Sequence, residues 1–218
     1  MNNNKGLFIT VEGGEGVGKS TFIKALSKRL NYIGVNHINT REPGGSPIAE
    51  ELRKLFNSPP EEDTLSPLSE FLLLSAARTQ HIHYTIKPAL NKKLWVLCDR
   101  FIDSSYVYQG YLGGVDLDFI SDINNKCING LNIDLTFLLD CDLNLSNDRL
   151  KSRNENSNTE DVATRYDDAE NNEKQKLRNY FLELATKYPA RIKVLDSSLS
   201  VDSLVGQAET IIRDRLWS

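Results

Sequence analysis

The chain has 218 residues, 39% of them hydrophobic and 26% charged, with a formal net charge of −4. That length suits one sizeable core rather than two, and the acidic balance excludes a protein held to nucleic acid mainly by a basic surface. A nucleotide bound as a small ligand in a locally basic pocket is not excluded.

The N-terminus, MNNNKGLFIT, lacks the apolar stretch of a signal peptide, and no run of eighteen apolar residues exists. A cytoplasmic protein without a membrane span is therefore expected. Cys98, Cys127 and Cys141 show no CxxC spacing. They read as small hydrophobic residues in a reducing compartment rather than as a disulfide or zinc site.

In chain order, LFITVEG is a strand candidate, and a helix follows from about Gly18 to Tyr32. VNHINTRE is a weaker strand. SPIAEELRKLF and SPLSEFLLLSAARTQHIHYTIKPAL read as helices, the second long and strongly apolar. LWVLCD is a third strand and DLTFLLD a fourth. Helices are expected to start in NLSNDRLKSR and to run through NEKQKLRNYFLELATKY; RIKVLDSS is a fifth strand and VDSLVGQAETIIRDRLW a last helix. Apolar strands alternating with helices predict an α/β fold, a parallel sheet with both faces covered. Ligands in such folds bind beyond the carboxyl ends of the strands. GGEGVGKS, REPGG and DRFIDSS all fall there. Between Asn154 and Glu173 lie seven acids, five asparagines and one arginine. This segment reads either as a solvated loop or as a lid over a bound nucleotide.

Gly13, four residues, then Gly18-Lys19-Ser20 matches GxxxxGK[ST] between a strand and a helix. Glycines let backbone N–H groups curl around the β-phosphate, and the helix N-terminus adds partial positive charge. Lys19 would reach the β- and γ-phosphates of a nucleoside triphosphate, and Ser20 would offer its hydroxyl to Mg²⁺. Asp99 ends an apolar strand and could position the same ion through water. A guanine-reading NKxD is missing: Asn125-Lys126-Cys127-Ile128 lacks the aspartate and sits in a helical pattern. A small kinase acting on a small acceptor fits best.

The strings ITVEGGEGVGKST, TREPGGSPIAEELR, LLLSAARTQH and LCDRFIDSSYVYQG, in this order and spacing, resemble bacterial thymidylate kinase. The likeness runs from about Leu7 to the terminal helix and is densest through Gly110. It implies one nucleoside monophosphate kinase domain over 1–218: a three-layer P-loop fold with a five-stranded parallel sheet flanked by helices, and a lid at about 150–172. It implies transfer of the γ-phosphoryl of ATP to dTMP with Mg²⁺, and a homodimer, with no nucleic acid or membrane partner. For ATP it points to Gly13, Gly14, Glu15, Gly16, Val17, Gly18, Lys19, Ser20 and Thr21, with Arg149 and Arg165. For dTMP it points to Glu15, Pro43, Arg53, Leu74, Arg78, Arg100, Ser105, Tyr108 and Gln109. Lys19, Glu15, Arg100 and Arg153 would be catalytic.

Within that resemblance, Glu15 faces the acceptor's 3′-hydroxyl, where a carboxylate makes a charge-assisted hydrogen bond. Arg53 and Arg100 match arginines near the acceptor phosphate, and Arg78 matches one that donates to the base. A structural salt bridge is the competing explanation for Arg78, since a buried arginine needs a partner. Ser105 matches a position at the base edge. Tyr108 would crowd a 2′-hydroxyl, which disfavours ribonucleotides. Pro43 with Gly44-Gly45 would wall the base.

The family's stacking phenylalanine is replaced here by Leu74, and Phe71, one turn earlier, could compensate. Gly16 stands where another arrangement of the family has a basic residue, so the lid must supply the catalytic cation: Arg153 first, then Arg149 and Arg165, with Lys151 also near. The acceptor phosphate is largely dianionic at neutral pH, with a second pKa of about 6, so no general base is required. His37, His81 and His83 read as bystanders. Two rivals stay open: a deoxynucleoside kinase using Glu15 as base, and a nucleotide-binding switch with little turnover.

Overall fold

A computed structural model describes residues 6–155, 166 and 170–216. Five strands form one parallel sheet in the order β2-β3-β1-β4-β5. They are β1 (Phe8–Glu12), β2 (His37–Arg41), β3 (Trp95–Asp99), β4 (Leu135–Asp140) and β5 (Ile192–Asp196). The three inner strands are apolar because helices cover both faces: all of β1 is buried, as are the first four residues of β3 and the first five of β4. β2 and β5 are edges, which explains the weak polar pattern of HINTR.

Helix α1 (Lys19–Tyr32) buries Phe22, Ile23, Leu26 and Leu30, a 3.6-residue stripe, against the sheet. The last helix, α9 (Val201–Leu216), packs beside it, and Arg29 and Glu209 close the outer seam at 2.7 Å. Together they cover a core containing Ile9, Val11, Leu97 and Phe137. Fully burying side chains of this size stabilises by roughly 1.5–3 kcal/mol each.

After β2 come α2 (Pro47–Asn57) and α3 (Pro67–His81), which pack on each other. The long apolar helix expected from the sequence is broken into α3, a π-helical turn over Ile82–Ile86, and α4 (Lys87–Asn91). Pro88 has no N–H to return to Tyr84, so the α-helical ladder cannot run through. After β3 come the single turn α5 (Ile102–Ser105) and a π-helical stretch, Tyr106–Leu112.

A helix that the apolar pattern alone did not delimit, α6 (Leu117–Ile128), follows. The Asp116 carboxylate caps it, accepting the Phe119 N–H at 2.8 Å, and Asn129 ends it at φ 42°. Asn125 to Ile128 is its last turn. After β4 come α7 (Leu143–Glu155) and α8 (Asn171–Lys187), which flank the segment expected to be a lid. Most of that segment, with Arg165, lies outside the described residues.

Candidate active site

The chain leaves β1 into the loop Gly13–Gly18, where three glycines take positive φ: Gly13 at 138°, Gly16 at 74° and Gly18 at 91°. At Gly16 the requirement is also spatial. A β-carbon there would run into the Ser146 carbonyl of α7. Lys19 folds back over the loop, its ammonium donating to the carbonyls of Gly13 at 3.1 Å and Gly14 at 2.7 Å. Burial, joined by the nearby Arg100 guanidinium, draws its pKa from 10.5 to about 8, although Glu15 opposes the shift.

β1 and β3 bring the next groups together. Arg100, just past β3, has φ 64°, a region a side chain of this size enters only under constraint. Its backbone N–H is held by the Val11 carbonyl at 2.9 Å. Its guanidinium donates to the Gly13 carbonyl at 3.1 Å, Ser104 Oγ at 3.2 Å and Glu15 Oε1 at 2.7 Å. The second oxygen of Glu15 accepts the Tyr108 hydroxyl at 2.6 Å. Burial pushes the Glu15 carboxyl up, but Arg100, Lys19 and these hydrogen bonds hold it below the usual range.

Beneath them lies Glu12, buried at the end of β1. It accepts the Phe101 N–H and the Ser104 hydroxyl, both at 2.7 Å. Burial and then the neighbouring Asp103 raise its pKa from 4.5 to about 7, with Arg100 pulling the other way. Glu12 stood inside a quoted motif, but only its burial under Arg100 distinguishes it.

A continuous cavity of about 1400 Å³ opens from this centre. Of the residues expected at the site, it is lined by Glu15, Gly16, Val17, Gly18, Lys19, Ser20 and Thr21 on the phosphate-loop side. Pro43, Arg53, Leu74, Arg78, Asp99, Arg100, Ser105, Tyr108 and Gln109 line it too, as do Arg149 and Arg153 of α7. Gly13 and Gly14 instead face a small cavity behind the loop.

Arg149 donates to the Ser197 carbonyl at 2.8 Å and to the Val17 carbonyl at 3.4 Å. Arg53 donates to the Pro43 carbonyl at 2.8 Å, and burial, followed by Arg41, lowers its pKa. Arg78 is 3% exposed and held by protein groups: Glu42 Oε2 at 2.7 Å, Asn124 Oδ1 at 2.7 Å, Ser105 Oγ at 3.0 Å and the Phe101 carbonyl at 3.3 Å. Its edge still lines the cavity.

Phe71 does not stand in for a stacking ring. It is fully buried, edge-on to Phe119 at 6.0 Å, and only Leu74 of the pair reaches the cavity. Phe56 of α2, which the sequence reading did not single out, is among the aromatic side chains that line the cavity. Arg41 also lines it, paired with Glu50 at 3.1 Å. Tyr166 stacks obliquely on Tyr108, with ring centroids 4.6 Å apart. His81 is fully buried between Thr40 and Glu42, whereas His83 is exposed.

The geometry joins a triphosphate cradle to an arginine-lined cavity through one carboxylate, an arrangement for carrying a phosphoryl group between two anions. The family model described as thymidylate kinase matches residues 11–208. A thymidylate kinase of Marinomonas sp. (strain MWYL1) is 40% identical over 205 residues, covering 94% of this chain and 93% of the relative. One from Bradyrhizobium diazoefficiens is 41% identical over 98% of this chain and 92% of its own. The chain belongs to the thymidylate kinase family.

Solved structures agree. The crystal structure of thymidylate kinase from Ehrlichia chaffeensis superposes with a TM-score of 0.73 at 31% identity, covering 96% of this chain and 99% of that one. The protein is thus a kinase on the P-loop fold, and the parallel five-stranded sheet expected from the sequence is the family's. Among the described residues, no helix is long and apolar enough to cross a membrane, and no group of three or more His, Cys, Asp or Glu is placed to hold a metal by itself.

Proposed function

We propose that this chain phosphorylates dTMP to dTDP with ATP, and that the residues around Glu15 divide the cavity into a donor half and an acceptor half. The observation that carries this is the position of Glu15. Its carboxylate takes Arg100 and Tyr108 and feels the charge of Lys19, and these residues share a single cavity with the phosphate loop and Arg53. ATP phosphates rest on the loop N–H groups and the N-terminus of α1, with Lys19 turning from the Gly13 and Gly14 carbonyls onto them. Arg149 and Arg153 face the donor from α7, and Arg153 supplies charge to the transferring group. Arg100 and Arg53 take the acceptor phosphate, whose own oxygen attacks in line, so the protein positions and shields charge rather than abstracting a proton.

The residues fit a hard cation. Asp99 Oδ1 is buried without a hydrogen-bond partner, and Ser20 offers a hydroxyl on the same cavity. Mg²⁺ held there would neutralise the β- and γ-phosphates.

A deoxynucleoside kinase would need Glu15 as base. Its depressed pKa and its double engagement by Arg100 and Tyr108 make it an acceptor of hydrogen bonds rather than a proton abstractor. For the homodimer, Leu68 and Leu72, one turn apart on α3, and Phe119 on the adjacent α6 supply exposed apolar surface. A cytoplasmic setting goes with this substrate chemistry.

The test is ADP release with Mg-ATP against dTMP, dUMP, UMP, CMP, AMP and thymidine. Rapid turnover with dTMP, slower with dUMP and none with thymidine is expected. Preference for another monophosphate would show that Leu74 and Phe56 line a different base pocket. Turnover only with thymidine would make Glu15 a base.

A further inference from the structure

The acceptor wall contains the turn Glu42-Pro43-Gly44-Gly45 at the end of β2, and its polar groups are held from outside. Arg53 donates to the Pro43 carbonyl at 2.8 Å. Glu50 accepts the Gly45 N–H at 2.8 Å, and the Thr85 hydroxyl donates to the Gly45 carbonyl. The Glu42 carboxylate points inward, 6% exposed, and takes Arg78 Nε on one oxygen at 2.7 Å. Its other oxygen lies 3.0 Å from His81 Nδ1. The opposite ring nitrogen, Nε2, lies 2.7 Å from Thr40 Oγ1 on β2.

His81 itself has no exposed surface and does not line the cavity. Its ring is also the floor of the turn: a β-carbon on Gly45, at φ 82°, would collide with it. One side chain therefore fixes the last residues of β2, the Glu42 carboxylate and the seat of Gly45. A carboxylate can only accept at Nδ1, so this nitrogen carries the proton.

We propose that His81 is a positioning residue for acceptor recognition: by clamping Glu42 and Thr40 it sets the Pro43–Gly45 wall and the aim of the Arg78 guanidinium. This deepens the acceptor-side reading above and rests on it. Glu42 is the shared partner of His81 and Arg78. If the histidine bond is lost, one carboxylate oxygen is left buried and unpaired. The carboxylate then rotates, and both the guanidinium and the turn move with it. The donor half, built on the phosphate loop and α7, shares none of these bonds.

The experiment compares His81→Phe, His81→Asn and His81→Gln in the full chain. Asparagine places its amide nitrogen where Nδ1 stands and keeps the Glu42 bond. Glutamine reaches the Nε2 position and loses it. Phenylalanine fills the space and loses both. Expected is a rise of about tenfold in the KM for dTMP with His81→Phe, the loss of one hydrogen bond to a buried charge. The KM for ATP should stay unchanged and kcat should shift less. Calorimetric titration with dTMP in the absence of ATP should show the same loss, and His81→Asn should restore most of it.

A folded His81→Phe chain with wild-type dTMP affinity, whatever its melting temperature, overturns the proposal. If that chain fails to fold, the Asn and Gln variants decide: weaker dTMP binding with Gln than with Asn supports the clamp, and equal or reversed binding overturns it. Arg53→Ala, measured alongside, separates the two levels. If Arg53→Ala weakens dTMP binding and His81→Phe does not, only the role of His81 falls. If neither does, the acceptor-side reading falls with it.

Discussion

The guanidinium of Arg100 donates to the carboxylate of Glu15 at 2.7 Å, tying the turn after β3 to the middle of the phosphate loop. An acid in a loop that receives a triphosphate is therefore not bare. Its charge is matched by Arg100 and Lys19 before any nucleotide enters.

Replacing Glu15 separates its two partners from each other. Glu15→Gln should lower kcat/KM for dTMP by about 10²-fold, as loss of a preorganised charged contact does. Tyr108→Phe removes one hydrogen bond and should lower it by about tenfold. Steady-state kinetics with dTMP varied at saturating ATP check both. Equal effects on dTMP and ATP constants would contradict the division of the cavity.

The two arginines of α7 that line the cavity should differ. Arg149 is anchored to the Ser197 and Val17 carbonyls, so Arg149→Ala should mainly raise the KM for ATP. Arg153→Ala should lower kcat by on the order of 10³, the scale of a cation on a transferring phosphoryl group. Single-turnover kinetics distinguish loss of chemistry from loss of binding.

Lys19 gives a pH limit. Its charged form is the useful one, and its pKa falls from 10.5 to about 8, first through burial and then through Arg100. kcat/KM for ATP reports the free enzyme, and it should decline as pH rises through about 8. The decline in kcat should begin at higher pH, because bound phosphates stabilise the ammonium. A flat kcat/KM profile up to pH 9.5 would refute this.

Glu12 gives a stability signature. Its pKa is raised from 4.5 to about 7 in the folded chain, by burial first and Asp103 second. The folded state therefore holds this proton more tightly than the unfolded one. The stabilisation is complete below about 4.5 and is lost as pH rises through about 7. Glu12→Gln is neutral at every pH and can still accept from Phe101. Its melting temperature relative to the unaltered chain should rise between pH 5 and pH 8, measured without nucleotide.

Gly16 cannot host the basic residue of the alternative arrangement. It has φ 74°, and a β-carbon would strike the Ser146 carbonyl of α7. Gly16→Arg should cost about 1–3 kcal/mol from backbone strain alone, seen by denaturant unfolding. It should not rescue Arg153→Ala.

Much was legible from the chain alone because the signals are local. The phosphate loop is written in contiguous glycines whose backbone conformations and spacing the chemistry requires. Apolar strands alternating with helices announced a parallel sheet, since strands covered on both faces must be apolar, as the three inner ones are. What the sequence could not decide were contacts between segments far apart in it. Phe71 and Leu74 lie three residues apart on one helix, and only the packing of α6 against α3 turns Phe71 away from the cavity. The break in the long helix follows from one proline, whereas the burial of His81 beneath Gly45 needs β2 alongside. The polar groups Glu12, Glu42 and His81 look like ordinary polar residues in a string. Their roles come from burial, which leaves each of them dependent on specific partners that only the tertiary fold brings within reach.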